Sequence, residues 1–309
     1  MRFLSACAAA LACVGSAASA ESTGVEQFGA AMKVARWTGP MLASTAETLP
    51  QGHFYTEPYF FDVIVNGDHH PGSSGFYQYG LLDNLTVGVQ PAFATDTNRL
   101  GRGVAIGDFK LLSQLRLTHF TPEHRVPTIA LVVNEVIPTG KFDRLGPRQE
   151  GHGSGAFATE VGVNVQHWFL LKNGRLLRTR LNVLQRFYRG TGVDGRSVYG
   201  TDAAFRGHAR PGSRTTLIGA VEYSLTKEWV LALDVEADFN GPTRVAGQET
   251  SGGPIVRTRS PASRSIGFAP AVEYNWSPST GALFGVWIVP KGHNAPASVT
   301  PAIAISKFW

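Results

Sequence analysis

The chain has 309 residues, of which 43% are hydrophobic and 17% charged, with 28 Lys and Arg against 23 Asp and Glu for a formal net charge of +5. So few charges beside that apolar content exclude an intrinsically disordered chain and a coiled coil. The 35 Gly and 18 Pro favour strands and turns over long helices.

Residues 1–20 read as an address. Arg2 supplies a positive start, Leu4 to Val14 a short apolar stretch, and Ala18-Ser19-Ala20 a small-x-small cleavage site, so a secretory signal peptide is expected to be cut near Ala20. Cys7 and Cys13 lie within it and are the chain's 2 cysteines, so the expected mature protein has neither a disulfide frame nor a thiolate metal site. No block of like charges points to nucleic acid.

Residues 21–51 form an N-terminal periplasmic segment that either plugs the downstream domain or hangs as a tail, with Trp37 inside Val34-Ala35-Arg36-Trp37-Thr38-Gly39-Pro40. From residue 52 to 309 the recurring signal is alternation at period two, the mark of strands with unlike faces. Leu85, Val87, Val89, Pro91 and Phe93 alternate with Thr86, Gly88, Gln90, Ala92 and Ala94. Phe109, Leu111, Leu115 and Leu117 alternate with Asp108, Lys110, Gln114 and Arg116. The pattern returns over Phe157–Gln166, Leu177–Phe187, Leu231–Phe239 and Gly267–Trp276. Fainter versions cover Phe54–Ile64, Gly75–Leu81, Thr128–Ile137, Thr215–Ser224, Ala282–Pro290 and Thr300–Trp309, which makes twelve segments in all.

Their lengths suit the ~9–11 residues of a tilted bilayer-crossing strand. Short turns at Asp83-Asn84, Lys172-Asn173-Gly174, Thr226-Lys227-Glu228 and Pro278-Ser279-Thr280-Gly281 alternate with long connections at Thr95–Ala105, Thr139–Gly155, Arg189–Ser213 and Gly241–Arg264. This sorting predicts an all-β fold: a closed antiparallel transmembrane β-barrel of about 12 strands in a Gram-negative outer membrane, with short periplasmic turns and long extracellular loops. Trp168, Phe169, Trp229, Trp276 and Trp309 lie at the short-turn ends and form an expected membrane-interface girdle. Phe93, Phe157, Phe187 and Phe239 lie at the other ends. The terminal Trp309 after alternating Ile303 and Ile305 resembles the signal by which barrel-assembly machinery recognises a last strand, although Lys307 stands where an apolar residue is usual.

With the apolar set facing lipid, the other set lines a lumen. The expected pore-lining residues are Asp108, Lys110, Arg116, Glu160, Arg178, Arg180, Arg186, Glu222, Asp234, Glu236, Asp238 and Glu273. The arginines of the seventh strand fall between Glu160 on the sixth and Glu222 on the eighth, within reach of cross-strand ion pairs. Two readings stay open: pairs that brace a narrow barrel, or opposed ladders that set a transverse field in a pore.

Catalytic and metal signals are thin. His69-His70 stands in an expected surface loop without further ligand spacing, so no metal and no cofactor are expected. Gly151-His152-Gly153-Ser154-Gly155 has Gly where a nucleophile elbow needs Ser. No catalytic residue is assigned.

Several stretches together resemble a bacterial family of meta-pathway phenol-degradation proteins. They are Glu47-Thr48-Leu49-Pro50-Gln51-Gly52-His53-Phe54 with Glu57-Pro58-Tyr59, Gly107-Asp108-Phe109-Lys110, Ile137-Pro138-Thr139-Gly140-Lys141-Phe142-Asp143 through Gly146, Gly153-Ser154-Gly155, Glu222-Tyr223-Ser224, Trp229 to Asp234, Ser263-Arg264-Ser265 and Ala269-Pro270-Ala271-Val272-Glu273-Tyr274-Asn275. The resemblance spans most of the chain beyond residue 20. It implies a transporter-like outer-membrane barrel linked to uptake of aromatic or hydrophobic compounds, and it brings no site residues with it. The expectation is a porin-like channel for small organic solutes, with outer-membrane lipid, the solute and the assembly machinery as partners. The alternatives are a narrow structural or adhesive barrel acting through its loops, and a barrel lipid-modifying enzyme.

Overall fold

A computed structural model describes residues 24–98, 101–147, 149–249 and 252–309. The expected signal peptide and its cleavage site lie outside the described residues.

The strands, in chain order, are β1 (Phe54–Val65), β2 (Asp68–Leu82), β3 (Leu85–Gln90), β4 (Ala92–Asn98), β5 (Gly101–Ile106), β6 (Phe109–Thr118), β7 (Thr128–Ile137), β8 (Ala158–Leu170) and β9 (Leu176–Tyr188). They continue with β10 (Thr191–Asp194), β11 (Arg206–Arg210), β12 (Arg214–Ser224), β13 (Trp229–Asn240), β14 (Arg244–Gln248), β15 (Ile255–Arg259), β16 (Ser263–Ser277), β17 (Thr280–Val289) and β18 (Ser298–Phe308). Twelve of them, β1-β18-β17-β16-β13-β12-β9-β8-β7-β6-β3-β2, pair antiparallel in a ring that β2 closes onto β1. The protein is therefore a closed 12-stranded antiparallel barrel, and each expected segment forms part of one wall strand. Closure pairs the first wall strand with the last, Tyr55 opposite Phe308 and Ile64 opposite Val299.

The alternation seen in the sequence is the barrel's radial sorting. On β13, Leu231, Leu233 and Val235 are exposed outward at 44%, 41% and 38%, while Asp234 between them is fully buried. A wall with lipid outside and a filled lumen inside needs this inversion, in which apolar groups are exposed and charges buried.

Three of the four expected long loops contain strand. The β4–β5 hairpin, the β10 and β11 segments, and the β14 and β15 segments extend wall strands beyond the barrel, and β10-β11-β14-β15 form a separate four-stranded sheet. These residues face no lipid, so they carry no apolar alternation to read. The hairpin between β1 and β2 turns at Asn66-Gly67, both with positive φ (54° and 90°), as a two-residue Asn-Gly turn requires. His69 and His70 are thus in strand β2, in place of the expected loop.

Residues 24–34 form a helix. Its Phe28, Ala31 and Met32, with Ala35 one turn on, pack on Phe120, Trp168 and Leu176 and cover the short-turn end of the barrel. The spacing Phe28, Ala31, Met32, Ala35 is an apolar helical stripe that the strand pattern overshadowed.

Candidate functional site

The lumen is the site, and it has two halves. The half toward the short turns is occupied by the chain's own residues 36–51, which cross it in extended form and bond to wall after wall. Thr38 and Gly39 donate backbone N–H groups to Glu273 Oε2 at 2.7 and 3.0 Å. Leu42 and Ala43 donate theirs to the two oxygens of Asp234 at 3.3 and 2.9 Å. Ser44 and Asn182 exchange a pair of hydrogen bonds at 2.8 and 3.0 Å. Thr45 donates to Gln166 at 2.9 Å. Glu47 then accepts from Arg116 at 3.0 Å and from Thr128 at 2.7 Å, and Leu49 N–H reaches Thr86 at 2.8 Å.

An extended segment in a lumen has no sheet partner for its backbone, and a buried unpaired amide is costly. The wall carboxylates and amides supply those partners. Glu273 and Asp234, expected to line a pore, are acceptors for this segment. Arg180 serves the segment from the donor side: its Nη1 bonds the Ala43 carbonyl at 2.8 Å while its Nε sits 3.0 Å from Glu222. Gly39, at φ +126°, passes so close to the Arg180 guanidinium that an added Cβ meets it at 3.3 Å; a side chain there is both strained and crowded.

Arg178 pairs with Glu222 through Nε at 2.7 Å and through Nη2. Its guanidinium also lies 4.6 Å from the Trp37 ring centroid and 4.9 Å from that of Trp168, within the range of a cation–π contact. This corrects one girdle assignment. Trp168 is 8% exposed and faces inward, packed edge-on against Trp37, because it shares the parity of Glu160, Asn164 and Gln166. Phe169, Trp229, Trp276 and Trp309 are exposed at 43%, 43%, 48% and 56%, at the short-turn end or beside the β1–β18 seam.

Toward the long connections, wall side chains pair with one another in the lumen. Arg186 Nη2 and Lys110 Nζ lie 2.6 and 3.6 Å from Glu160, and Asn134 donates to Glu160 at 3.0 Å. Arg214 pairs with Asp238, which also accepts from Thr216 at 2.7 Å, and approaches Glu236 at 3.7 Å. The seventh-strand arginines and their neighbours Glu160 and Glu222 therefore come together as cross-strand pairs. The sequence pattern alone did not single out Arg214, Glu57 or Glu47. Parity from Thr216 and Glu222 places Arg214 inward, and the Tyr55, Glu57, Tyr59 alternation on β1 does the same for Glu57. A cavity of about 560 Å³ remains in the lumen beside residues 37–49, and its lining includes Tyr55, Glu57, Tyr59 and Phe76 as well as Lys110, Arg186 and Arg214.

Asp108 stands apart from the pore-lining set. It accepts from Gly140 N–H at 3.1 Å and from both the N–H and the hydroxyl of Ser154 at 2.8 Å, so it ties both ends of the 139–155 connection to the barrel. Thr139 adds a bond to the Gly107 carbonyl at 2.7 Å. Ser154 is spent in this anchor, and the segment after it leads into strand β8, so no nucleophile elbow forms. Tyr199 donates to the Ser154 carbonyl, and burial, followed by the nearby Asp108 carboxylate, pushes its phenol above the usual tyrosine range. His69 lies 2.5 Å from Asp62 and His70 3.2 Å from Glu150. Among the described residues no group of three His, Cys, Asp or Glu could hold a metal ion.

No family model and no curated protein matches this chain. Solved structures do. An outer-membrane channel from Pseudomonas putida F1 superposes with a TM-score of 0.59 at 12% identity, over 87% of this chain and all of that one. The NanC porin superposes at 0.46 and 9% identity over 81% of this chain and 98% of its own. The first likeness establishes that the chain shares the fold of an outer-membrane channel.

Proposed function

We propose that the chain is an outer-membrane channel for small organic solutes, aromatic and hydrophobic compounds among them, gated by its own residues 36–51. The observation that carries this reading is the partly filled lumen: a hydrogen-bonded internal segment runs through it, and a cavity of about 560 Å³ remains between that segment and the wall. A barrel that served only as a brace has no need of a removable filling. Hydrogen bonds from wall side chains to a separate extended segment are exchangeable for water in a way that the wall's own backbone ladder is not.

The solute class draws on two features. The cavity is lined by the rings of Tyr55, Tyr59 and Phe76 and by cationic Lys110, Arg186 and Arg214, a lining that suits a compound with one aromatic and one polar end. Three of the stretches resembling the phenol-degradation family meet at the rim, where Asp108 accepts from Gly140 and Ser154. The shared fold of the Pseudomonas channel supports an outer-membrane location and solute passage.

The test is a switchable tether. Ala43 packs against Ala220 in the lumen, and Cys7 and Cys13 fall within the expected signal peptide. In the double variant Ala43→Cys/Ala220→Cys, planar-bilayer currents should be absent when oxidised and appear on reduction, and phenol or benzoate should modulate them. Equal currents in both redox states remove the segment as the gate. No current from any form removes the channel.

A further inference from the structure

The sheet β10-β11-β14-β15 is a direct continuation of wall strands β9, β12, β13 and β16. Gly241 N–H bonds the Ser213 carbonyl at 2.8 Å and Ser260 N–H the Thr243 carbonyl at 2.9 Å, bridging the gap between wall and extension. One face of this sheet is packed: Val193, Ala209 and Val245 are buried under Phe205, with Phe142 and Tyr199 against them. Tyr199 is bonded to Ser154, which is bonded to Asp108 at the barrel rim. The packed face is thus turned toward the 139–155 connection, and the opposite face is turned away from it.

That opposite face is arginine. Arg210 lies directly across from Arg244, and Arg244 directly across from Arg259. Arg257 is two residues along from Arg259, across from Ala246, and Arg206 is across from Gln248. All five arginines are exposed. Asp194 pairs with Arg206 at 3.8 Å and with Arg144 at 2.9 Å. Among the described residues no carboxylate lies within ion-pair distance of Arg210, Arg244, Arg257 or Arg259.

Like charges directly opposite in a sheet repel, and three abreast with no counter-charge is an arrangement that an external anion relieves. Cross-strand neighbours stand ~5 Å apart and alternate residues along a strand ~7 Å apart. This makes a grid of planar, bidentate donors suited to several phosphates on one scaffold. Height selects the source. Phe239 closes the exposed apolar stretch of β13, and Arg244 follows five residues later, at most about 17 Å above it. On the outside of an outer membrane that level holds the phosphorylated saccharide of the outer-leaflet glycolipid.

We infer that the arginine face of this sheet binds the phosphorylated saccharide of outer-leaflet lipopolysaccharide; this rests on the outer-membrane reading above. The test uses the full-length barrel refolded in uncharged detergent. It is titrated with deacylated, bisphosphorylated lipopolysaccharide oligosaccharide, with the same oligosaccharide after phosphatase treatment, and with inorganic phosphate. The phosphorylated form should bind in a salt-dependent way, and Arg210→Gln/Arg244→Gln/Arg259→Gln should weaken it at least tenfold while heat-modifiable gel migration and bilayer current stay as in the parent. Arg206→Gln/Arg257→Gln, on the flanking rows, should weaken it less and serves as a second readout should the triple variant not fold. Equal binding of the dephosphorylated form, equal binding by both variants, or full competition by equimolar inorganic phosphate overturns the proposal. A parent barrel that conducts yet does not bind leaves the channel standing and removes the docking face alone.

Discussion

Arg180 donates from Nη1 to the carbonyl oxygen of Ala43 at 2.8 Å, so a wall residue whose other contact is Glu222 holds the backbone of the segment that fills the barrel. Replacing Arg180 by Met removes one charge from this buried cluster and frees the Ala43 carbonyl, while Glu222 keeps Arg178. Losing a hydrogen bond from a charged donor costs about 1.5–3 kcal/mol. The variant should therefore show a lower urea midpoint in detergent and a larger open-channel current than the parent. An unchanged midpoint and current would mean that Arg180 neither braces the wall nor holds the segment.

Asp234 isolates the gating effect more cleanly, because both its oxygens serve residues 42 and 43. In Asp234→Asn one oxygen is replaced by an amide that faces an N–H donor. Losing a hydrogen bond to a charged acceptor costs roughly 1.5–3 kcal/mol, which corresponds to roughly a ten- to hundredfold rise in the open fraction. Single-channel open probability measures this directly, and the wall strands themselves should keep their stability.

Asp108→Ala should release the 139–155 connection, since three hydrogen bonds end on that carboxylate. Limited trypsin digestion of the folded barrel reads the effect: cleavage after Lys141 and Arg144 should speed up at least severalfold, with the barrel intact by gel mobility. Cleavage at the parent's rate would show that the connection is held elsewhere.

Tyr199 sets a pH boundary for the same region. Its phenol is raised above the ordinary value of 10.0 by burial. A group with a raised folded-state value binds its proton more tightly when folded. Its contribution is then complete below pH ~10 and is lost as pH rises above that value through the folded one. Ultraviolet titration of the parent against Tyr199→Phe should assign one phenol to an ionisation above the ordinary tyrosine value. A difference spectrum centred at the usual tyrosine value would contradict the buried hydrogen bond to Ser154.

Twelve wall strands were legible in the sequence because a lipid exterior and a polar interior force a period of two on each one. Where that demand ends, legibility ends. The Gly- and Arg-rich stretches of β10, β11, β14 and β15 are strand without a clear apolar alternation. Trp168 shows that an aromatic at a strand end belongs to the girdle only when its parity is outward. The positions of Glu160, Arg186, Glu222 and Arg178 in neighbouring columns were readable from parity and strand order. Their division of labour was not. Asp234 and Glu273 look like pore residues in sequence, and only the path of residues 36–51 shows that they are acceptors for a backbone with no sheet of its own.

The closure of the ring between β1 and β18 has a consequence for the order of events during biogenesis. Residues 36–51 precede β1, yet they touch β16, β13, β9, β8, β6 and β3 from within. Once first and last strands have met, that interior can be reached only through an opening of the barrel. Each wall strand that arrives beforehand finds its carboxylates and amides already matched by a stretch of chain made earlier. The same segment that runs through the finished barrel can thus act as its mandrel, the form around which the wall is wound.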